Sequence, residues 1–450
     1  MTRKATERAV SRRGFIKGST LATLATAAGA GTAASLFGCA PQSAQSKGEL
    51  AQTGSNGVVA NEIPEEGEII WQSCCHCGFV ACPLKCHVVD GTLRWIDNDT
   101  DGDDEFGGVS FRSCLKARSV RKWINSPDRL KYPMKRVGKR GSGEFERISW
   151  DEALDEIAEK WNGYVKEFGP TSVGLFTGSG NYGLVNGMSV GGVTSRFLTA
   201  SGIAYLNQTV DAAANFAMSR LLGMGYYSTG NEPADMMNAK TILIWGANPA
   251  ISQIQNMHFL MEARDNGTKL IAIDPMFSQT AARSDEWVPV KPGTDGALAF
   301  GMMNYIVEQG WQDLDFLREH SVAACLVKEA DGKFLRQADL DGSQPSADDA
   351  KNAATSLVMG KDGTPGIVGE VADPELEGSY EVEGIKVSTA YQLLLDRIAE
   401  YPVSKAAEIT GVSEDLIKDV AEQYARNTPS SIYTFFGIDH YWNGHWSQAA

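Results

Sequence analysis

Hydrophobic spacing along the chain switches between periods of two and of 3.6 residues, and the switches mark its elements. An uncharged run over residues 18–40, rich in Ala, Gly, Thr and Leu, comes first. Residues 41–66 have no apolar period and are rich in Ser, Gln, Gly and Glu, which predicts an exposed linker. Short extended runs fill residues 67–135, and within 86–96 the pair Asp90-Gly91 predicts a hairpin turn. At Ser149 the pattern turns helical, with Ser149 as N-cap, Asp151 and Glu152 in the first turn, and Leu154, Ile157, Ala158 and Trp161 on one face. Residues 172–177 read as a buried strand. Residues 241–246 form a strand, 254–266 an amphipathic helix stopped by Gly267, and 269–275 a second strand. Such a succession is a right-handed βαβ unit, with nucleotide-binding potential at its strand ends. Ser413 caps a further helix with Leu416, Ile417, Val420, Ala421 and Tyr424 on one face. Residues 328–386, rich in Asp, Gly, Ser and Pro, read as a surface excursion. Residues 431–437 read as a buried strand and 440–446 as an aromatic loop.

Composition narrows the function classes. At 450 residues and 43% hydrophobic content the chain can build two or three domains with sizeable cores. With 41 basic and 56 acidic residues its net charge is −15, which argues against nucleic acid and anionic lipid as partners.

Cysteines carry the strongest chemical signal. Cys74, Cys75, Cys77, Cys82 and Cys86 crowd one stretch, and Cys114 follows in a separate segment. Three close thiolates and a distant fourth suit a cubane iron-sulfur cluster, because a tight loop supplies three corners and a returning segment closes the last. Disulfides among such near neighbours rarely meet bridging geometry. Cys325, in an apolar setting, reads as a buried inert thiol.

The N-terminus suggests where such a protein works. Ser11-Arg12-Arg13-Gly14-Phe15-Ile16-Lys17 ahead of the uncharged run reads as a twin-arginine export signal over residues 1–40, a route that carries proteins folded around their cofactors. The run is too rich in Gly and Ala for a permanent membrane span. Leu36-Phe37-Gly38-Cys39 also fits a lipoprotein cleavage site, with Cys39 lipidated.

Ordered motifs then accumulate: Cys82-Pro83-Leu84, Val88-Val89-Asp90-Gly91, Asp101-Gly102-Asp103-Asp104, Cys114-Leu115-Lys116, the run 125–138, residues 145–153, Gly246-Ala247-Asn248-Pro249, Ile273-Asp274-Pro275 and Lys291-Pro292-Gly293-Thr294-Asp295. From residue 70 onward the chain resembles catalytic subunits of the dimethyl sulfoxide reductase family of molybdopterin enzymes, most of all the anaerobic sulfoxide reductase branch. The resemblance implies a multidomain α/β fold. A small β-rich 4Fe-4S domain (67–135) precedes the first part of an α/β molybdopterin domain (136–238). A Rossmann-like guanine dinucleotide-binding domain (239–428) follows, then a return toward the molybdopterin domain (429–450). The C-terminal part of the family fold is expected to be absent.

The resemblance further implies a bis(molybdopterin guanine dinucleotide) cofactor with molybdenum or tungsten beside one 4Fe-4S cluster. Cys74, Cys77, Cys82 and Cys114 are the expected cluster ligands, with Cys75 and Cys86 as substitutes, since four residues separate Cys77 from Cys82 where the family usually has three. Lys116 matches the family's basic residue between cluster and pterin. Asp274 with Pro275, and Asp295 in the loop Gly293-Thr294-Asp295, are expected to accept hydrogen bonds from guanine or ribose, while Gly246 and Asn248 would let a diphosphate approach the backbone. The serine metal ligand of sulfoxide reductases is replaced by Ala213; Asp211 is the candidate carboxylate ligand, or the metal takes no protein ligand. The implied activity is oxygen-atom removal from an S- or N-oxide. Electrons would come from a ferredoxin-like iron-sulfur subunit held by a membrane anchor subunit. Reductive dehydroxylation of phenols, non-redox hydration, and an electron-relay role without a catalytic metal are the alternatives.

Overall fold

The computed structural model describes residues 63–74, 82–98, 113–176, 192–206, 231–344, 348–434 and 436–450, with single positions 213, 217 and 221. All of them fall in the Ala60–Ala450 unit of the chain. The export-type segment, Cys39, Cys75, Cys77 and Asp211 lie outside the described residues.

Strands β1 (Glu68–Ser73), β2 (Pro83–Val89) and β3 (Thr92–Asp97) form an antiparallel sheet in that order. Asp90 and Gly91 adopt φ of 49° and 70°, the left-handed pair that a two-residue hairpin turn requires, and Val89 pairs with Thr92 across it. Helix α1 (Leu115–Ile124) packs Ala117 and Val120 onto this sheet. Arg121 fixes its orientation by donating to the Arg94 carbonyl at 2.9 Å and covering the Trp95 ring.

A hairpin of β4 (Met134–Arg136) and β5 (Phe145–Arg147) leads into α2 (Trp150–Phe168). Ser149 caps α2 by accepting from the Glu152 N–H at 3.1 Å. The apolar face of α2 is not buried: Leu154 and Ile157 are more than half exposed. Trp161 meets Phe197 of α3 (Val193–Ser201) edge to face. The strand expected over 172–177 forms as β6 (Gly174–Phe176), paired in parallel with β7 (Ala204–Leu206), yet it is largely exposed. A two-stranded parallel pair has too few neighbours to cover either of its own faces.

The largest core surrounds a parallel sheet. It starts with β8 (Thr241–Trp245), α4 (Ile254–Asp265), β9 (Lys269–Ile273) and β10 (Glu286–Val288), and continues with α5 (Asp295–Glu308). The chain then enters a lobe of β11 (Leu326–Lys328), β12 (Leu357–Met359), β13 (Pro365–Ile367), β14 (Ser379–Val382) and β15 (Ile385–Thr389). Read from sequence as a surface excursion, this segment has its own core of Leu326, Leu335, Leu357, Met359, Val382 and Val387. Its polar residues occupy the turns, and sparse apolar residues between them suffice because the strands are short. Cys325 is buried beside that core, and burial pushes its thiol pKa up.

Helices α6 (Ala390–Ala399), α7 (Val403–Thr410) and α8 (Glu414–Arg426) return to the sheet, and β16 (Ser430–Thr434) joins its edge. The strand order is β10-β9-β8-β16, all parallel. Alternation along β8 explains its uniformly apolar sequence. Leu243 and Trp245 face α5, α7 and α8, while Ile242 and Ile244 face α4. Residues 429–450 were expected to leave this domain; β16 instead pairs with β8 and completes its sheet, with Ile432 exposed at the edge. Because β9 and β16 flank β8 on opposite sides, the winding direction reverses between β8 and β16. A crevice at the carboxyl ends of these strands is where such sheets place ligands.

Candidate cofactor site at the strand ends

Trp245 ends β8, and its indole N–H donates to Asp295 Oδ1 at 2.9 Å, both residues being buried. Asp295 opens α5 with Thr294 at the N-cap. Burial pushes the Asp295 carboxyl pKa up, against the pull of the Trp245 hydrogen bond. Asp274, at the carboxyl end of β9, accepts from the Met276 N–H at 2.8 Å, and its backbone carbonyl accepts from Trp287 Nε1 at 2.8 Å. Burial raises its pKa as well, and the neighbouring Asp295 charge adds to the rise. Asp295 also takes its own backbone N–H besides the Trp245 indole, and each carboxylate keeps lone-pair capacity for a ligand. Pro275 is exposed beside Asp274, and Gly293 takes φ of 76° where the loop turns into α5. Thr294 Oγ1 donates to the Lys291 carbonyl at 2.6 Å, holding that loop.

Gly246 and Asn248 have contacts within the protein. Gly246 donates to the Ile273 carbonyl and accepts from the Gly437 N–H, both at 2.9 Å. A Cβ on Gly246 would lie 2.7 Å from Ile438 Cγ1, so the side of this glycine that a side chain would take is filled by the chain itself. The Asn248 side chain also has protein partners. Its Oδ1 accepts from Thr280 Oγ1 at 2.7 Å and its Nδ2 donates to Gln279 Oε1 at 3.1 Å, tying the loop after β8 to the loop after β9.

Tyr441 and Asn443 were not singled out from the sequence, yet they lie over the Gly293 loop. Asn443 Nδ2 donates to the Gly293 carbonyl at 3.0 Å. Burial raises the Tyr441 phenol pKa, and the charges of Asp295 and Asp274 raise it further. A signal was present in the chain: an aromatic loop directly after a parallel strand occupies the ligand end of its sheet.

The cysteines gather elsewhere. Cys74, Cys82 and Cys86 are buried in one core with Leu84, Ile96 and Ala117, and Cys114, at the N-cap of α1, packs against it. The Cys74 N–H donates to the Cys82 carbonyl at 2.9 Å, closing the ends of β1 and β2 on each other. Burial raises the Cys86 thiol pKa. Among the described residues no group of three metal-binding side chains converges on a single ion. A cubane does not ask for that, since each thiolate binds a different iron. An all-thiol donor set in an apolar wall fits an iron-sulfur group better than a hard cation. Lys116 points away from this core: its Nζ donates to the Ile251 carbonyl at 2.6 Å, in the short helix Pro249–Ser252 that follows β8. Ala213 is half-buried in a helical position, while Asp211 lies outside the described residues.

Fold and site together define an α/β dinucleotide-type domain preceded by a cysteine-bearing β-subdomain. Comparison with known proteins gives the family. Residues 129–411 match the family model described as molybdopterin oxidoreductase, and the chain belongs to that family. It is 40% identical over 285 residues to the probable dimethyl sulfoxide reductase chain YnfF of Escherichia coli (strain K12), covering 60% of this chain and 34% of that protein. It is 36% identical over 326 residues to dimethyl sulfoxide reductase DmsA of the same organism, covering 70% of this chain and 38% of that one. The chain thus spans little more than a third of the length of these relatives. Among solved structures it is similar in fold to acetylene hydratase from Pelobacter acetylenicus, with a TM-score of 0.53 and 23% identity, covering 84% of this chain and 42% of that one. Among the described residues no helix is long and apolar enough to cross a membrane.

Proposed function

We propose that this chain supplies the cluster-bearing and dinucleotide-binding part of an exported molybdopterin-dependent reductase acting on an S- or N-oxide. The observation that carries the reading is a pair of carboxylates at the ligand end of the sheet, half-buried Asp274 after β9 and buried Asp295 at the start of α5, with unspent acceptor capacity. Guanine offers N–H donors on one edge, and buried carboxylates are the acceptors that would recognise them. Asp274 and Asp295 would hold the guanine end of a molybdopterin guanine dinucleotide, and Cys74, Cys77, Cys82 and Cys114 a 4Fe-4S cluster.

When bound, the cofactor supplies two-electron redox chemistry at its metal. The substrate's oxygen leaves as water after uptake of two electrons and two protons. This chain's residues orient and insulate. Trp245 fixes the Asp295 carboxylate, Asn248 locks the two strand-end loops together, and Lys116 ties α1 to the loop after β8. A positive charge on that tie favours reduction of a nearby cluster. Electrons would come from a ferredoxin-like subunit with its membrane anchor. The similarity to dimethyl sulfoxide reductase chains supports the choice of substrate class, and the Arg12-Arg13 segment supports export, with Cys39 as a lipid anchor.

The test is metal and nucleotide content of the protein purified without oxygen. About four irons, one molybdenum or tungsten and two guanines per chain support the reading. Iron without the heavier metal and guanine would leave an electron-relay protein.

A further inference from the structure

We infer that Asn443, on the loop after β16, is a third hydrogen-bond acceptor for the guanine base and a determinant of guanine over adenine; this rests on the guanine reading of the Asp274 and Asp295 pair. The geometry is specific. The Asn443 amide is held by its Nδ2 on the Gly293 carbonyl at 3.0 Å, so its orientation is fixed and its oxygen is turned away from that bond. Asn443 Oδ1 is buried and has no hydrogen-bond partner. It lies 3.8 Å from the position a Cβ on Gly293 would take, and the Tyr441 ring lies 3.6 Å from the same point. Gly293 stands two residues before Asp295, and the charges of Asp295 and Asp274 both reach Tyr441. The loop after β16, the Gly293 loop and the end of β9 therefore meet at one place.

A buried amide oxygen left unpaired costs stability, and natural proteins keep few of them without a purpose. At this place the spare groups are acceptors: one capacity each on Asp274, Asp295 and Asn443. A ligand edge made only of donors satisfies them. Guanine presents its N1–H and its 2-amino group on one edge. Adenine presents an unprotonated ring nitrogen there, which would face an acceptor and be repelled. Gly293 itself is explained by its φ of 76°, the left-handed region that favours glycine.

The experiment is calorimetric titration of the full chain, purified from a host that makes no molybdopterin, with GMP, IMP and AMP. Expected for the unaltered protein is a preference for GMP over both, since IMP lacks the 2-amino group. Asn443→Ala is expected to weaken GMP binding about tenfold and leave AMP binding unchanged, and Asn443→Gln, which keeps both the amide donor and the acceptor oxygen, to retain a preference for GMP over AMP. A melting scan establishes that each variant is folded. Equal losses of GMP and AMP binding in Asn443→Ala overturn the specificity role. Unaltered protein that binds GMP no better than AMP overturns the guanine reading itself.

Discussion

Lys116 Nζ donates to the Ile251 carbonyl at 2.6 Å, joining two residues 135 positions apart. The bond connects the helix that begins at Cys114 to the loop that follows β8, and so links the cysteine core to the dinucleotide-type sheet. Lys116→Met removes donor and charge, and is expected to cost up to about 1 kcal/mol in urea unfolding. Lys116→Gln keeps a donor and is expected to recover part of that loss. If both variants matched the unaltered protein in stability and in cluster reduction potential, the link would be structurally idle.

Cysteine identity is tested by iron content. Cys114→Ser is expected to reduce about four irons per chain to little or none, because the distant corner has no substitute nearby. Cys86→Ser should keep its iron, since Cys86 lies within β2 and packs as a buried thiol in the sheet core. Loss of iron in Cys86→Ser with retention in a Cys82→Ser variant would exchange the roles of these two residues.

The hairpin at Asp90-Gly91, the strands at 241 and 269 and the cap at Ser413 were legible because each depends on local chemistry: a left-handed turn, a run buried on both faces, a hydroxyl over free N–H groups. The positions of Asp274 after a strand and Asp295 at a helix start were legible because local apolar runs and the Pro-Gly turn set them. What escaped depended on long-range pairing. That β16 lies beside β8 is set by contacts across nearly two hundred residues, and only that pairing brings Tyr441 and Asn443 to Gly293. The close packing at Gly246 escaped for the same reason. Its close neighbour is Gly437, which no local pattern identifies.

That glycine pair makes its own prediction. A Cβ on Gly437 would stand 2.2 Å from the Gly246 carbonyl oxygen, a backbone atom that cannot rotate aside. Gly437→Ala is expected to destabilise the protein by about 2–3 kcal/mol and to loosen the loop carrying Tyr441 and Asn443. An unfolding midpoint unchanged by this substitution would mean that the two loops do not cross as described.

The pH dependence of the cofactor-free protein follows from Asp274 and Asp295. Burial raises both pKa values above the ordinary 3.8, so between the unfolded and folded values the folded state binds more protons than the unfolded one. Stability is then highest at the acid side of that window and falls as pH rises through it, the reverse of a salt-bridged carboxylate. Asp295→Asn keeps an oxygen for the Trp245 N–H and removes the buried charge. It is expected to raise stability at neutral pH by on the order of 1 kcal/mol, to flatten this part of the profile, and to weaken GMP binding at least tenfold. Trp245→Phe tests the same carboxylate from the other side. Without the indole donor the charged form loses its support, so the pH at which Asp295 takes up a proton should rise further, and GMP binding should decline with falling pH earlier than in the unaltered protein. Identical pH profiles for Trp245→Phe and the unaltered protein would show that the 2.9 Å contact does not govern the carboxylate.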